Sequence, residues 1–310
     1  MTTFGDQLYQ LGGVPVGGAF TTGSNFFVHS GTGSDANTGK KPSEALATLD
    51  VAVGKCTANK GDIIYCMPGH AETLTAADDV DIDVAGVTVI GLGNGSLRPT
   101  FTYTATAGEV VVGAANVTIK GLRFVPGISA VVKAIDVEAT FSHATVDDCE
   151  FRAGASGFEF NAAITVNTTA TDFTCKNSHF SSGLEGAIYA ISLATPTRAR
   201  ILGNTIMGDY STACIGTITG AGVLCEMVDN IVINGQAGAL ASNVEVFTQS
   251  AAGTWFLKDN VFATDITTNL SLMFTNFTST INLGNRYTDD STMVLSAVDR
   301  SGVMAVSADT

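Results

Sequence analysis

The stretch VTVIGL at residues 87–92 returns seven more times along the chain. The later versions read VTIKGLRF (Val117–Phe124), ATVDDCEF (Ala144–Phe151), FTCKNSHF (Phe173–Phe180), RILGNTI (Arg200–Ile206), EMVDNIV (Glu226–Val232), FLKDNVF (Phe256–Phe262) and INLGNRY (Ile281–Tyr287). Aligned on Leu92, Leu122, Cys149, Ser178, Asn204, Asn230, Asn260 and Asn285, successive copies lie 30, 27, 29, 26, 26, 30 and 25 residues apart. A period in this range marks a repeat architecture in which each unit buries its apolar side on its neighbours.

Two columns define the unit. Three positions before the aligned residue stand Val89, Ile119, Val146, Cys175, Ile201, Met227 and Leu257, with Asn282 breaking the series. Two positions after it stand Phe124, Phe151, Phe180, Ile206, Val232, Phe262 and Tyr287. The pattern predicts a short strand, a tight bend built on Gly, Asp or Asn, and a second short strand; it carries no helix-length apolar stripe, which excludes helical solenoids. Gly, Asn and Asp tolerate a left-handed backbone, and an Asn amide can bond to its counterpart one coil away. Asn204, Asn230, Asn260 and Asn285 therefore read as a ladder, and eight coils stacked about 4.8 Å apart make a rod roughly 40 Å long. With this repeat and ladder, residues 25–290 resemble the right-handed parallel β-helices of the pectate-lyase-like superfamily, an all-β fold.

Composition agrees with a turn-rich β protein: of 310 residues, 34 are Gly and only 6 Pro, and 14% are charged. A solenoid of this length can hold one continuous core, so one main domain is expected. The net charge of −14 argues against nucleic acid or an anionic membrane as a partner, since both require a basic footprint. Met1–Gln10 has neither a basic start nor an apolar run, and no apolar stretch approaches the roughly 18 residues of a membrane span. Cys56, Cys66, Cys149, Cys175, Cys214 and Cys225 show no CxxC spacing, which favours buried reduced thiols over disulfides or metal ligands.

Residues 1–24 precede the repeat and read as an extended arm. Phe4, Leu8, Tyr9 and Leu11 form a short amphipathic stretch ahead of GGVPVGG, in which Val14, Pro15 and Val16 complete the candidate partner-binding set. FGDQLYQLGGVPVGG resembles the leader of structural proteins in tailed-phage virions. Residues 25–74 read as a cap: FFVHSG as a strand, SDANTGKKPSEA as a turn-rich loop, and Pro42 to Cys56 as an amphipathic helix with Ser43 as its N-cap. This order is similar to the N-terminal cap of many β-helix proteins, structural and enzymatic alike, so it points to fold and not to chemistry. GSDANTG reads as an Asx-rich turn, since it lacks the closing Glu of an EF-hand loop. In AADDVDIDV, alternation places Asp79, Asp81 and Asp83 on one outward face as solvated carboxylates. Beyond the coils at 75–290, residues 291–310 alternate apolar and polar positions and are expected to close the open end of the solenoid.

Enzymes of the superfamily that cleave polysaccharides carry carboxylates, with a calcium ion or a basic residue, on the exposed face of adjacent coils. The matching cluster here is Asp147, Asp148 and Glu150, between Lys120 and Arg123 on one coil and Lys176 and His179 on the next. Column logic stacks Arg123, Glu150 and His179. Stacked opposite charges on a solenoid surface make modest ion pairs. Trp255, the single Trp, falls in an apolar column instead of an exposed sugar-binding cleft. No Ser/His/Asp order, nucleotide loop or zinc spacing is present, and His29, His70 and His143 stand alone. No catalytic residue, metal ligand or cofactor is assigned. The expectation is a capsid-decorating or cement protein of a tailed phage, made in the host cytoplasm and carried on the capsid exterior. It would be a homotrimer that docks on the major capsid protein or another virion protein, with a surface glycan as a candidate ligand. The alternative is a tail spike or polysaccharide-degrading β-helix enzyme.

Overall fold

Three strands and three corners make each turn of the chain, and the turns stack as a parallel β-helix, the fold that the resemblance implies. The computed structural model describes residues 21–155, 157–183, 187–236, 239–240, 244–264, 280–288 and 302–303. Strand β1 (Asn25–Val28) and helix α1 (Leu49–Val53) precede β2 (Ile63–Cys66), β3 (Ala71–Leu74) and β4 (Val80–Asp81), which form the first coil. The second coil is β5 (Thr88–Gly91), β6 (Thr100–Tyr103) and β7 (Val110–Val112). Among the described residues, seven coils carry all three strands, and two further coils contribute their first and second.

Each sheet buries one column. In the first, Val89, Ile119, Val146, Cys175, Ile201 and Met227 lie in parallel register and are fully buried. In the second, Phe101, Phe124, Phe151 and Phe180 stack with ring centroids 5.8, 5.0 and 4.6 Å apart. Such offset pairs add about 0.5–1.5 kcal/mol each beyond the area they bury. The third sheet stacks Val110, Ile135, Ile164, Ile191, Ile215 and Phe247. The repeat phrase does not mark this third strand, because the linkers on either side of it vary in length and break the spacing.

The corner between the first and second sheets divides its work between adjacent residues. The left-handed backbone falls on Gly121, Asp148, Asn177, Gly203, Asp229, Asp259 and Gly284, all with φ between 51° and 72°. The next residue points inward. Asn204, Asn230, Asn260 and Asn285 are buried, and their amides bond in series, Nδ2 to Oδ1, at 3.1, 2.8 and 2.7 Å. The Oδ1 atoms of Asn230, Asn260 and Asn285 also accept the backbone N–H of the Asn one coil before. Ser178 and Cys149 continue the chain of bonds: Ser178 N–H donates to Asn204 Oδ1 and Cys149 N–H to Ser178 Oγ. Asn282, the break in the apolar column, accepts the terminal Asn285 amide.

The cap departs from its expected form. In place of one helix from Pro42 to Cys56 there is a 3-10 turn at Pro42–Glu44, an extended link through Leu46, and the short helix α1. Leu46 pairs with Val28 and covers the outer edge of β1, so the segment is held extended by strand pairing. Ser43 lies inside the 3-10 turn and caps nothing; α1 starts after Thr48, and the Leu49 N–H is met by Glu72 Oε2 at 3.0 Å. GSDANTG is a turn, with Asp35 Oδ1 accepting the N–H groups of Ala47 and Thr48. Of the three carboxylates expected on one strand face, Asp79 instead closes a turn on Thr75 and Ala76, and only Asp81 is within β4.

At the far end, Gly302–Val303 pairs antiparallel with Ile281–Asn282. The arm residues Phe4, Leu8, Tyr9, Leu11, Val14, Pro15 and Val16 lie outside the described residues.

Candidate functional site

The predicted outward stack exists. Glu150 is in register with Arg123 on one side and His179 on the other, while Asp147 is in register with Lys120 and Lys176. The corner turn at Asp148 (φ 51°) aims Asp147 out of the first sheet and Glu150 out of the second, so both carboxylates flank one edge of the solenoid.

Asp147 is buried. Its Oδ2 lies 3.0 Å from Lys120 Nζ and 3.8 Å from Lys176 Nζ, and its Oδ1 accepts Asn177 Nδ2 at 3.0 Å. Glu150 has three guanidinium groups around it. Arg123 Nε is 2.7 Å and Arg152 Nε 3.3 Å from Oε2, and Arg98 Nε is 3.9 Å from Oε1. Arg98 also bonds Asp148 through its carbonyl, at 2.7 Å, and its carboxylate, at 3.0 Å. His179 is exposed, and Glu150 turns to the arginines.

Burial on its own would raise both carboxylic acids. For Asp147, the hydrogen bonds from Asn177 and Lys120 and the charges of both lysines outweigh it, and the pKa falls below the ordinary value. For Glu150, the Arg123 hydrogen bond and the charges of Arg123, Arg152 and Arg98 do the same. Both are held as carboxylates at neutral pH. Glycoside hydrolysis needs one carboxylic acid that keeps its proton to protonate the leaving oxygen. Neither Asp147 nor Glu150 meets that requirement. What the cluster does physically is tie four consecutive coils together across the corner, from Arg98 to Lys176.

Sequence reasoning found Lys120, Arg123, Asp147, Asp148, Glu150 and Lys176, but missed Arg98, Arg152 and Asn177. Arg98 comes from the insertion between β5 and β6, which includes a 3-10 turn at Gly95–Leu97 and has no repeat register from which to place it. Asn177 carried a signal, an Asn at the left-handed corner position itself, that its place one residue ahead of the ladder column obscured. A second compensated cluster lies on the third sheet, where Lys133 Nζ is 3.0 Å from Glu109 and also pairs with Asp136. The isolated histidines have local roles. His70 is buried, with Nδ1 accepting the Ser30 N–H at 3.0 Å and Nε2 3.0 Å from Glu72 Oε2; His29 Nδ1 accepts the Thr32 N–H. His143 is exposed at a left-handed corner.

All six cysteines are free thiols. Cys66, Cys149, Cys175, Cys214 and Cys225 are buried, and burial pushes Cys149 up to about 12 and Cys225 to about 11, so neither ionises at neutral pH. Trp255 is buried edge-on to Phe247, with ring centroids 4.7 Å apart.

No protein-family model and no curated protein sequence matches the chain. Solved structures do. The fold is similar to the pectate lyase Pel9A, with a TM-score of 0.60 at 14% identity over 79% of this chain, which spans 64% of that enzyme's length. A rhamnogalacturonan lyase (TM-score 0.45, 12% identity, 78% of this chain and 69% of the other) and a lacto-N-biosidase from Eubacterium ramulus (0.48, 11%, 84% and 61%) are also similar. At these identities the similarity to the pectate lyase defines a class of fold, the pectate-lyase-like parallel β-helix, and carries no reaction with it.

Proposed function

We propose that the chain is a structural protein of a tailed-phage virion, a β-helical rod that decorates or cements the capsid. In this reading it stands as a homotrimer and docks through residues 1–24 on the major capsid protein or another virion protein. The observation that carries the reading is the chemistry of the outward stack. The corner where a β-helix enzyme would work is occupied here by carboxylates whose partners Lys120, Arg123 and Lys176 come from neighbouring coils. That arrangement stiffens a rod and leaves neither Asp147 nor Glu150 as a protonated acid for glycoside hydrolysis. The phage-like leader supplies the link to a particle: its apolar anchors order against the shell and add buried apolar area at a subunit boundary.

Deleting residues 1–24 is the test. The shortened chain is expected to keep its β-sheet circular dichroism yet be lost from purified particles; unaltered incorporation would overturn the docking role. Incubation with host capsular polysaccharide addresses the enzyme or tail-spike alternative. New reducing ends or unsaturated sugars that disappear in Asp148→Asn would replace the structural reading.

A further inference from the structure

At the N-terminal end of the rod each of the three sheets terminates in an edge, and the three edges are treated differently. The edge of the first sheet, β1, is covered by the segment through Leu46: Phe27 N–H donates to Gly39 O, and Leu46 N–H to Phe27 O. The edge of the third, β4, is met by α1, whose Asp50 Oδ1 accepts the Asp81 N–H at 3.2 Å. The edge of the second, β3, faces a groove of about 520 Å3 lined by Ser30, Thr48, Asp50, Glu72, Thr73 and Asp79, among others.

The register of β3 on β6 fixes which groups face that groove. Thr100 N–H donates to His70 O and Thr104 N–H to Leu74 O, so the alternate residues of β3 bond to β6, and Ala71 and Thr73 turn their backbone groups outward. The outward groups at the two ends are satisfied, Ala71 N–H by Ser30 Oγ at 2.9 Å and Thr75 N–H by Asp79. Between them the N–H and C=O of Thr73 meet no partner among the described residues, and the side chain is exposed. An unpaired edge of this kind is a template for one more strand.

We propose that this groove binds an extended, positively charged segment of a partner polypeptide, which adds to β3 as an edge strand. Backbone pairing at Thr73 supplies the register, and charge selects the partner: every ionisable residue lining the groove, Asp50, Glu72 and Asp79, is acidic. The two nearer occupants do not fit this charge. Residues 1–20 contain Asp6 and no Lys or Arg, and a second copy brings a net charge of −14 to an acidic groove. Docking here is independent of residues 1–24 and of the virion reading, because it needs only a basic extended segment.

The probe is a short peptide alternating lysine and valine, measured by fluorescence anisotropy against the full chain, beside a matched peptide alternating glutamate and valine. The lysine peptide is expected to bind, more weakly as salt rises, and the glutamate peptide not to bind. Proline is tolerated on a strand edge where its missing N–H faces away from the ladder. Thr73→Pro should therefore fold, and it should weaken the lysine peptide about tenfold, the equivalent of the one backbone bond that the missing N–H would donate, while Thr73→Ala does not. Amide hydrogen exchange on the unaltered chain gives a second readout that does not depend on Thr73→Pro folding: Thr73 exchanges quickly alone and slowly with the lysine peptide. Four results would each overturn the proposal. They are no binding of the lysine peptide, equal binding by Thr73→Pro, binding only after residues 1–20 are removed, and self-association abolished by Thr73→Pro.

Discussion

Asn230 shows how one side chain can hold three coils. Its Oδ1 takes both the backbone N–H and the Nδ2 of Asn204, and its Nδ2 reaches Asn260 Oδ1 and Ile201 O. All of these groups are buried, and a buried donor left without an acceptor costs about 1–3 kcal/mol. Asn230→Ala orphans two donors on Asn204, so a loss of about 3 kcal/mol is expected, read from the denaturant midpoint of the circular dichroism signal. A loss under about 1 kcal/mol would mean that water or a shifted backbone meets those donors. The ladder was legible because Asn recurs at one position of the repeat. That the left-handed turn belongs to the preceding residue was not, since an Asn tolerates a left-handed backbone much as the Gly203, Asp229, Asp259 and Gly284 that take it do.

At the level of the element, a strand here is too short to be stable alone, and its stability comes from the strands above and below it. Phe151–Phe180 is the tightest pair of the ring stack, at 4.6 Å and 6° between planes, and Phe151 also stacks on Phe124. Phe151→Ala opens a cavity between two rings that cannot close on each other without shifting a coil, so a cost near the upper end of about 3–5 kcal/mol is expected in equilibrium unfolding. A cost below about 2 kcal/mol would show that the coils collapse to fill the space. These columns were legible wherever the repeat keeps its spacing. They faded at three places, each for a physical reason. The third sheet is flanked by loops of changing length. The insertion before β6 places Arg98 beside Asp148 with no register to announce it. The segment from Pro42 to Cys56 has helical spacing of its apolar residues, yet Leu46 is more stable covering the β1 edge than in a helix.

Across the whole molecule, the net charge of −14 hides two opposed populations of carboxylates, and their balance sets the response to acid. Asp172 is held down to about 2, chiefly by its hydrogen bonds to the Arg198 guanidinium, and Asp147 and Glu150 are also below the ordinary value. A group whose folded pKa is depressed contributes stability that is fully present above its unfolded pKa, about 4, and is lost as pH falls toward the folded value. Glu109 and Asp81 are shifted the other way. Burial raises both, and for Asp81 the neighbouring charges of Asp83, Glu138, Asp78 and Asp50 add to it; its Oδ1 is buried without a hydrogen bond among the described residues. While ionised these two cost stability, and protonation restores it as pH falls through their raised values. Relief of the overall negative charge acts in the same direction. The melting temperature is therefore expected to rise as pH falls from 7 toward the ordinary carboxylate range, and then to drop between about 4 and about 2. Two substitutions separate the limbs in a thermal-melt series across pH. Asp81→Asn should flatten the rise, and Asp172→Asn should leave the rise intact while making the acid drop shallower. A melting temperature that falls steadily from pH 7, or an acid limb unchanged in Asp172→Asn, would refute the assignment of these two groups.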